Sequence, residues 1–220
     1  MIHTMHVVIV ANGVMDDPES ELAHWVQAGD VIVAADGGTR HLLRCGIYPH
    51  HVIGDLDSLD TAVRADLAAQ HTVFHPHPAH KDETDLELAL LWAAVTYPAA
   101  SVVVLGAMGG RPDQTLANLL LLALPQLAGH AVFLADRDWK VLLLRGGQCR
   151  EFLGTPGDTL SLIPLGGPAH KVTTHGLVYP LDSETLAFGP ARGVSNMLLS
   201  ETAQVCLGGG LLWVFQEHNA

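Results

Sequence analysis

Short apolar runs recur along the first part of the chain, and segments with helical periodicity separate them. The runs are rich in valine and isoleucine and lie at 7–11, 31–35, 52–53, 72–74, 102–105 and 131–134. The segments between them predict helices at 18–28, 39–45, 60–70, 83–97 and 113–124. Continuous apolar strands that alternate with helices are typical of a parallel sheet covered on both faces. The pattern therefore predicts an α/β domain at residues 1–137.

The pattern changes after about residue 137, where helical periodicity fades. Short apolar segments follow, broken by Gly-Gly, Pro-Gly and Gly-Pro turns, at 141–144, 159–163, 171–174, 177–179, 185–188 and 211–215. Such segments favour a smaller antiparallel β-sandwich at residues 138–220. The predicted fold class is thus a mostly parallel α/β sheet domain followed by an antiparallel β-sandwich domain.

The composition narrows the possible function classes. The 220 residues are 49% hydrophobic and 15% charged, which predicts a folded rather than a disordered chain. The formal net charge of −12 argues against a nucleic-acid binder that works through phosphate contacts. Most of this acidity belongs to residues 1–136, which hold 16 acidic against 5 basic side chains.

Cysteine usage and the apolar stretches bear on location. Cys45, Cys149 and Cys206 are widely spaced and form no CxxC, which predicts a reduced, cytoplasmic protein with ordinary buried thiols. The first strand follows the N-terminus without a basic region, so we expect no signal peptide. Residues 114–135 lack charges, but polar residues, a proline and a glycine interrupt them. We therefore expect a helix, a turn and a buried strand there, not a membrane span.

Polar or glycine-rich turns follow most of the predicted strands. They read A-N-G, A-D-G-G, G-D-L-D-S and G-A-M-G-G-R. In open α/β sheets, ligands bind beyond the carboxyl ends of the strands. These turns should therefore converge on one site.

Asp55 and Asp57 stand at the end of the third strand with one leucine between them. If the strand continues through them, both carboxylates share a face. Two carboxylates at one spot repel each other unless a cation lies between them, and hard oxygen ligands suit Mg²⁺. Asp36, after the second strand, and Asp85, at the start of a helix, would lie nearby. The alternative is a turn in which Asp57 or Ser58 caps the following helix.

The segment G-A-M-G-G-R-P-D-Q-T-L-A-N, residues 106–118, runs from a strand into a helix. Helix N-termini bind anions through free N–H groups, and Arg111 adds a planar fork that grips phosphate. Asp113, Gln114 and Asn118 add polar groups at the helix start. The glycine spacing fits neither a dinucleotide fingerprint nor a Walker A loop. The segment predicts a phosphate site of another kind.

Together these motifs resemble those of the thiamine pyrophosphokinase family. A-D-G-G, I-G-D-L-D-S, K-D-E-T-D and G-G-R-P-D-Q-T-L-A-N stand in the family's order, and T-T-H-G-L-V-Y-P-L, L-A-F-G-P-A-R-G-V-S-N and G-L-L-W-V-F resemble its thiamine-binding domain. The resemblance implies a transferase that moves a pyrophosphoryl group from ATP to the hydroxyethyl arm of thiamine, giving thiamine diphosphate and AMP. It also implies a homodimer with thiamine at the subunit interface.

The resemblance also implies roles for individual residues. The Mg²⁺ ligands would be Asp36, Asp55, Asp57 and Asp85. The ATP contacts would be Asp36, Gly37, Gly38, Arg111, Asp113, Gln114 and Asn118. The thiamine contacts would be Lys81, Asp82, Asp85, Ser195, Asn196 and Trp213. The catalytic residues would be Asp55, Asp57, Asp85 and Arg111, with Asp85 either a metal ligand or a general base.

Two other functions stay open on the residues alone. A D-x-D motif also serves metal-dependent glycosyltransferases that use sugar nucleotides, although the Gly-Gly-Arg helix start fits these less well. A non-catalytic thiamine- or nucleotide-binding protein could use the same scaffold. It would bind without turnover.

Overall fold

The structure is a computed structural model that describes residues 5–217. It divides into two compact units, at residues 1–137 and 138–220. The first unit carries a parallel sheet, and the second is built of antiparallel strands.

Six parallel strands form the sheet of the first unit. They are β1 His6–Val10, β2 Val31–Ala35, β3 His51–Gly54, β4 Val73–Pro76, β5 Ser101–Leu105 and β6 Val132–Ala135. Their order is β4-β3-β2-β1-β5-β6, and every neighbouring pair is parallel. The chain builds outward from β1 in one direction and then resumes on its other side with β5. The carboxyl ends beside β1 therefore form the crevice in which such sheets bind ligands.

Five α-helices connect these strands among the described residues. They are α1 Pro18–Trp25, α2 Thr39–Arg44, α3 Thr61–Ala69, α4 Asp85–Thr96 and α5 Pro112–Leu121. Side chains cap three of them, because the oxygens of Asp17, Asp60 and Thr84 accept bonds from free N–H groups of the first turns. The predicted alternation of strands and helices is confirmed.

Helix α4 packs across β1, β2 and β3. Its inner face carries the fully buried side chains of Ala89, Leu90 and Ala93. The two alanines let the helix backbone approach the sheet closely, and the leucine fills the remaining space. This packing anchors the start of α4, with Asp85 as its first residue, beside the carboxyl ends of the strands.

The second unit contains seven antiparallel strands among the described residues. They are β7 Trp139–Arg145, β8 Cys149–Leu153, β9 Thr159–His175, β10 Glu184–Leu186, β11 Asn196–Met197, β12 Thr202–Cys206 and β13 Gly209–Glu217. The main order is β7-β13-β9-β12-β8, and β10 and β11 also pair with β9. The predicted change from parallel to antiparallel strands is confirmed.

The long strand β9 corrects the sequence prediction of two strands at 159–163 and 171–174. Gly166, in the left-handed region at φ 70°, bends a single continuous strand. Its first half pairs with β13, and its last residues pair with β12. The strand predicted at 177–179 is wrong, because Leu177 forms an isolated bridge with Leu198 instead. Partners distant in sequence decide these pairings, so local patterns do not reveal them.

The uncharged stretch 114–135 holds most of α5, a short 3-10 turn at Pro125–Leu127 and strand β6. Within residues 5–217, no helix is both long and apolar enough to cross a membrane.

The expectation of three ordinary buried thiols is wrong. Cys149 and Cys206 lie opposite each other in the paired strands β8 and β12 and form a disulfide. Cys149 is exposed and Cys45, which is free, is half-buried. The two bonded residues are 57 positions apart, so only the strand register brings them together.

We expect the disulfide to stabilise the second unit. It closes a long loop, with a sequence separation of 57, and thereby restricts the unfolded chain. Replacing both Cys149 and Cys206 with serine should lower the free energy of unfolding by about 2–4 kcal/mol in urea titrations without reductant. Cys45→Ser is the control and should leave it nearly unchanged. A wild-type protein whose three thiols all react when denatured without reductant would contradict the prediction.

Candidate active site

Three acidic side chains meet at the carboxyl edge of the parallel sheet. One carboxylate oxygen from each of Asp36, Asp55 and Asp57 lies within 4.8 Å of the other two. Asp36 is buried, Asp55 is half-buried and Asp57 is exposed, so the group opens toward solvent. Hard oxygen ligands in this arrangement can hold a divalent cation of the Mg²⁺ type.

A turn, not a strand, brings the two carboxylates of D-L-D together. Strand β3 ends at Gly54, and Leu56 adopts a left-handed conformation at φ 63°. The backbone N–H of Asp57 donates to Oδ1 of Asp55 over 3.1 Å. The expectation that strand alternation aligns the carboxylates is therefore wrong. Side chains on one face of a strand would share a direction, whereas here the reversed backbone at Leu56 folds them back.

The alternative of a helix cap at Asp57 or Ser58 is also contradicted. Asp60 caps α3, since its Oδ1 accepts from the N–H of Val63 over 2.8 Å. The carboxylate of Asp57 is thus not consumed by the helix start. It remains available at the open side of the acidic group.

Gly54 is the residue that allows the acids to crowd together. Its φ of 149° lies in a region that residues with a side chain rarely adopt. A Cβ at this position would lie 2.7 Å from Cβ of Asp36 and 3.0 Å from Oδ1 of Asp85. The missing side chain therefore makes room for two carboxylates from other elements.

Asp85 lies beside this group but outside the three-oxygen cluster found among the described residues. Its Oδ1 accepts from Nζ of Lys81 over 2.8 Å. The Lys81 side chain is only 12% exposed, so its charge is held close to the acids. Asp82 is exposed and does not line the cavity described next.

The electrostatics of Asp36 reflect this crowding. Burial raises the pKa of its carboxyl above the ordinary value, the Ser58 hydroxyl nearby lowers it, and the charges of Asp85, Asp55 and Asp57 raise it further. Its Oδ1 is buried and has no hydrogen-bond partner within residues 5–217. A bound cation would give this oxygen a partner and would offset the negative charge of the acidic group.

A cavity of about 480 Å³ opens beside the acids. The turns after β1, β2 and β5 line it, together with the starts of α4 and α5. Of the predicted site residues, those on its wall are Asp36, Gly37, Asp85, Arg111, Gln114 and Asn118. The predicted residues of the first unit that do not lie on the wall are Gly38, Asp55, Asp57, Lys81, Asp82 and Asp113. The backbone of Gly38 instead packs under β1, where an added Cβ would lie 1.9 Å from the carbonyl oxygen of Val10.

The start of α5 lines the cavity. Arg111 is the N-cap residue and makes no side-chain capping bond, while the Asp113 carboxyl interacts with the backbone N–H groups of Asp113 and Gln114. The N–H groups of this turn and the helix dipole favour an anion such as phosphate. Asn118 donates through Nδ2 to the carbonyl of Ala107 over 2.8 Å, which ties the glycine-rich turn to the helix. The exposed Arg111 side chain pairs with Asp113, with Nε and Oδ1 3.1 Å apart.

Asn12 and Gly13, from the A-N-G turn after β1, also line the cavity, although neither was predicted individually as a site residue. The Gly13 N–H donates to the carbonyl of Gly106 over 2.7 Å, and its own carbonyl lies 2.9 Å from Nε2 of His41. These contacts join the turns after β1 and β5. The sequence feature that could have identified these two residues is the A-N-G turn directly after an apolar run.

In the second unit, hydrogen bonds or burial fix the predicted site residues Ser195, Asn196 and Trp213. Ser195 is left-handed at φ 60°, and its N–H donates to Oγ of Ser161. The amide of Asn196 bonds the backbone of Tyr179 in both directions, over 3.0 and 2.7 Å. Trp213 lies in β13, only 7% exposed, and its indole N–H has no partner in the described part of the chain.

Comparisons with known protein families identify two matching regions. The sequence model for the catalytic domain of thiamin pyrophosphokinase matches residues 22–134. The model for the vitamin B1 binding domain of thiamin pyrophosphokinase matches residues 151–212. Together the two matches span most of the chain.

Individual relatives agree with the family models. Thiamine pyrophosphokinase of Bacillus subtilis is 29% identical over 187 residues, which cover 85% of this chain and 87% of that protein. Thiamine pyrophosphokinase 1 of Oryza sativa is 25% identical, over 85% of this chain and 79% of its own length. The crystal structure of the Bacillus subtilis protein matches with a TM-score of 0.82, 26% identity, and coverage of 98% and 100%. Yeast thiamin pyrophosphokinase, at 15% identity and a TM-score of 0.80, shares the fold, over 99% of this chain and 87% of its own.

The crowded acids predict a pH-dependent cost of folding. Because the pKa of Asp36 is raised in the folded state, stability of the cation-free protein should fall as pH rises above the ordinary range of an Asp carboxyl. Asp36→Asn should therefore stabilise the protein in EDTA at pH 8, because it removes the charge that burial and the neighbouring acids disfavour. The gain should shrink toward pH 4, where the proton relieves the same cost.

Thermal unfolding in EDTA between pH 4 and pH 8 checks this. Asp113→Asn is the control, because Arg111 lowers the pKa of the Asp113 carboxyl and its replacement should bring no gain at pH 8. A destabilised Asp36→Asn protein at pH 8 would contradict the prediction.

Proposed function

Because the chain belongs to the thiamin pyrophosphokinase family, we propose that it transfers a pyrophosphoryl group from ATP to the hydroxyethyl arm of thiamine. The products are thiamine diphosphate and AMP. The observation that carries this proposal is the acidic group of Asp36, Asp55 and Asp57 beside a cavity that the uncapped start of α5 also lines. The cavity then offers a place for phosphate, and the acidic group at its edge offers a place for a metal cation.

Mg²⁺ fits the acidic group as the metal of this reaction. Asp36, Asp55 and Asp57 would hold it, and the unpartnered Oδ1 of Asp36 supports this assignment. When bound, Mg²⁺ supplies positive charge to the anionic oxygens of a polyphosphate. The acids themselves keep the cation at one edge of the cavity and leave the rest of the space for nucleotide.

The triphosphate of ATP would lie on the start of α5. The N–H groups of the first turn and the positive end of the helix dipole favour its oxygens, and the exposed Arg111 fork can leave Asp113 for a phosphate. Gln114 and Asn118 line the same wall, as does Gly37, whose missing side chain leaves room for the side chain of Asn12. Fixed donors of this kind orient the β-phosphorus for in-line attack and stabilise the charge that develops there.

Asp85 is suited to the thiamine hydroxyl. Its Oδ1 is occupied by Lys81, and it stands outside the three-oxygen group, which supports a role as general base rather than metal ligand. The second carboxylate oxygen would accept the proton of the attacking hydroxyl. Lys81 keeps the carboxylate oriented. Asp82 is exposed and lies off the cavity wall, so it would act on the cationic thiazolium ring only through its charge.

The second unit would bind thiamine as part of a homodimer, with Ser195, Asn196 and Trp213 at the subunit interface. Exposed apolar side chains support such an interface, since Tyr179, Phe188 and Leu199 are each more than 60% exposed. Ser195 and Asn196 stand in the same stretch of chain. Each subunit's second unit would then serve the partner's active site.

A cytoplasmic location stays a prediction. The requirement for ATP supports it, whereas the Cys149–Cys206 disulfide is more typical of oxidising compartments.

The reaction predicts AMP as the nucleotide product. Incubation with ATP, Mg²⁺ and thiamine should release AMP and thiamine diphosphate in equal amounts, measured by chromatography. Omission of thiamine or of Mg²⁺ should stop AMP release. ADP as the product, binding of thiamine without turnover, or hydrolysis of UDP-sugars would contradict the proposal.

Within that assay, Asp55→Asn should lower the rate at least about 100-fold, because it removes a charged metal ligand. Asp66→Asn is the matched control. It removes the same charge from an exposed position on α3 and should leave turnover nearly unchanged. A near-normal rate for Asp55→Asn would remove Asp55 from the metal site.

The homodimer predicts a sedimentation mass about twice the 23.4 kDa of the chain. Replacing both Phe188 and Leu199 with aspartate should produce monomers, because it places charge at two exposed apolar positions of the proposed interface. Val95→Asp is the control, since Val95 is 84% exposed but lies on α4 in the first unit. A wild-type protein that sediments as a monomer at micromolar concentration would exclude the dimer.

A further inference from the structure

The segment between β3 and α3, residues 55–60, carries two of the acids yet has no regular secondary structure. It begins at Asp55 and ends at Asp60, the cap of α3. Leu56 holds a left-handed conformation, which is costly for a residue with a branched side chain. Such a conformation persists only where surrounding contacts over-determine it.

Some of the contacts that hold this conformation are hydrophobic. Leu56 is 7% exposed and Leu59 is 5% exposed, so both side chains anchor the segment to the unit. The N–H of Leu59 also donates to the carbonyl of Leu56 over 3.2 Å, which closes a turn around Asp57. These contacts fix the ends of the turn, but its carbonyl groups still have lone pairs that can accept from further donors.

Arg64 supplies those donors from α3. Its backbone is helical, with its N–H bonded to the carbonyl of Asp60, while its side chain runs back toward the segment. Nε donates to the carbonyl of Leu59 over 3.0 Å, and a terminal nitrogen donates to the carbonyl of Leu56. The guanidinium thus spans both ends of the turn that contains Asp57. Both bonds are partly buried.

The charge of Arg64 also has the right sign and position. Its two bonds go to backbone carbonyls rather than to the carboxylates, so it approaches the turn without taking a metal ligand. A positive charge bonded to this turn offsets part of the repulsion between Asp55 and Asp57, although Arg64 is exposed and water screens its charge. A planar guanidinium can reach two carbonyls in a fixed orientation, which a lysine ammonium cannot reproduce.

We infer that Arg64 is a positioning residue for the cation site, holding the left-handed turn that presents Asp55 and Asp57. The inference rests on the proposed cation site and adds to it a residue that touches neither metal nor substrate. Partners that orient metal ligands from outside are worth about 10–100-fold in metal affinity when removed. Arg64 acts through two backbone bonds, so a loss of about tenfold is expected.

Arg40 contacts the same turn from α2 and serves as a matched comparison. It donates to the carbonyl of Ser58 from α2, but through one exposed bond of 3.3 Å. Its removal should therefore change cation affinity less than about twofold. Arg44, exposed at the end of α2, is the control for loss of one positive charge in the unit.

The test measures Mn²⁺ binding to the metal-free full chain without nucleotide, by the loss of the free-ion electron paramagnetic resonance signal. Arg64→Met and Arg64→Lys should each weaken Mn²⁺ binding about tenfold. Arg40→Met and Arg44→Met should stay within about twofold of wild type. Arg64→Lys retains the charge and the aliphatic stem, so it keeps the test valid if Arg64→Met fails to fold.

A second readout separates positioning from general stability. In the AMP assay, the Mg²⁺ concentration for half-maximal rate should rise for the Arg64 variants, while the KM for thiamine stays unchanged. A lower melting temperature with unchanged Mn²⁺ affinity would mean that Arg64 serves only stability, and would overturn the inference. Wild-type protein that binds no Mn²⁺ would instead overturn the cation site itself, and the inference with it.

Discussion

Repulsion among carboxylates is the constraint on which the rest of this structure depends. Oxygens of Asp36, Asp55 and Asp57 lie within 4.8 Å of one another, and Asp85 stands beside them across Gly54. In a flexible chain these groups would separate into water, where each charge is well solvated. The fold prevents this because the backbone that carries each acid is held in place by the surrounding structure. Burial raises the pKa of the Asp36 carboxyl, and the neighbouring carboxylates raise it further.

The parallel sheet and its connections supply that rigidity. Asp36 is the first residue after β2, and Asp55 is the first after β3, which is the neighbouring strand. Asp85 begins α4, whose buried alanines and leucine lie against the same strands. Backbone bonds then hold the turns themselves, through Gly13 to the carbonyl of Gly106 and through Arg64 to the D-L-D turn. The stability of the scaffold thereby offsets the unfavourable electrostatics of the site. A bound cation would relieve them.

Prediction from the sequence succeeded where the signal was local. The run 31–35 coincides with β2, and the helix predicted at 60–70 differs from α3 by one residue at each end. Such agreement is expected because apolar periodicity reflects burial against a sheet. Prediction failed where partners are distant. The single strand β9 and the bond between Cys149 and Cys206 both depend on register, which local periodicity does not encode.

The sequence by itself determined the alternation of strands and helices, the change to antiparallel strands and the family resemblance, because these follow from residue types and short spacings. It also placed an acid or a glycine-rich turn after each central strand. Only the tertiary structure decided how the acids meet. Asp57 joins the group through the left-handed Leu56 and not through strand alternation, while Lys81 engages Asp85. The reason is physical: hydrogen bonds and close packing between segments far apart in sequence select backbone conformations that the local sequence does not favour.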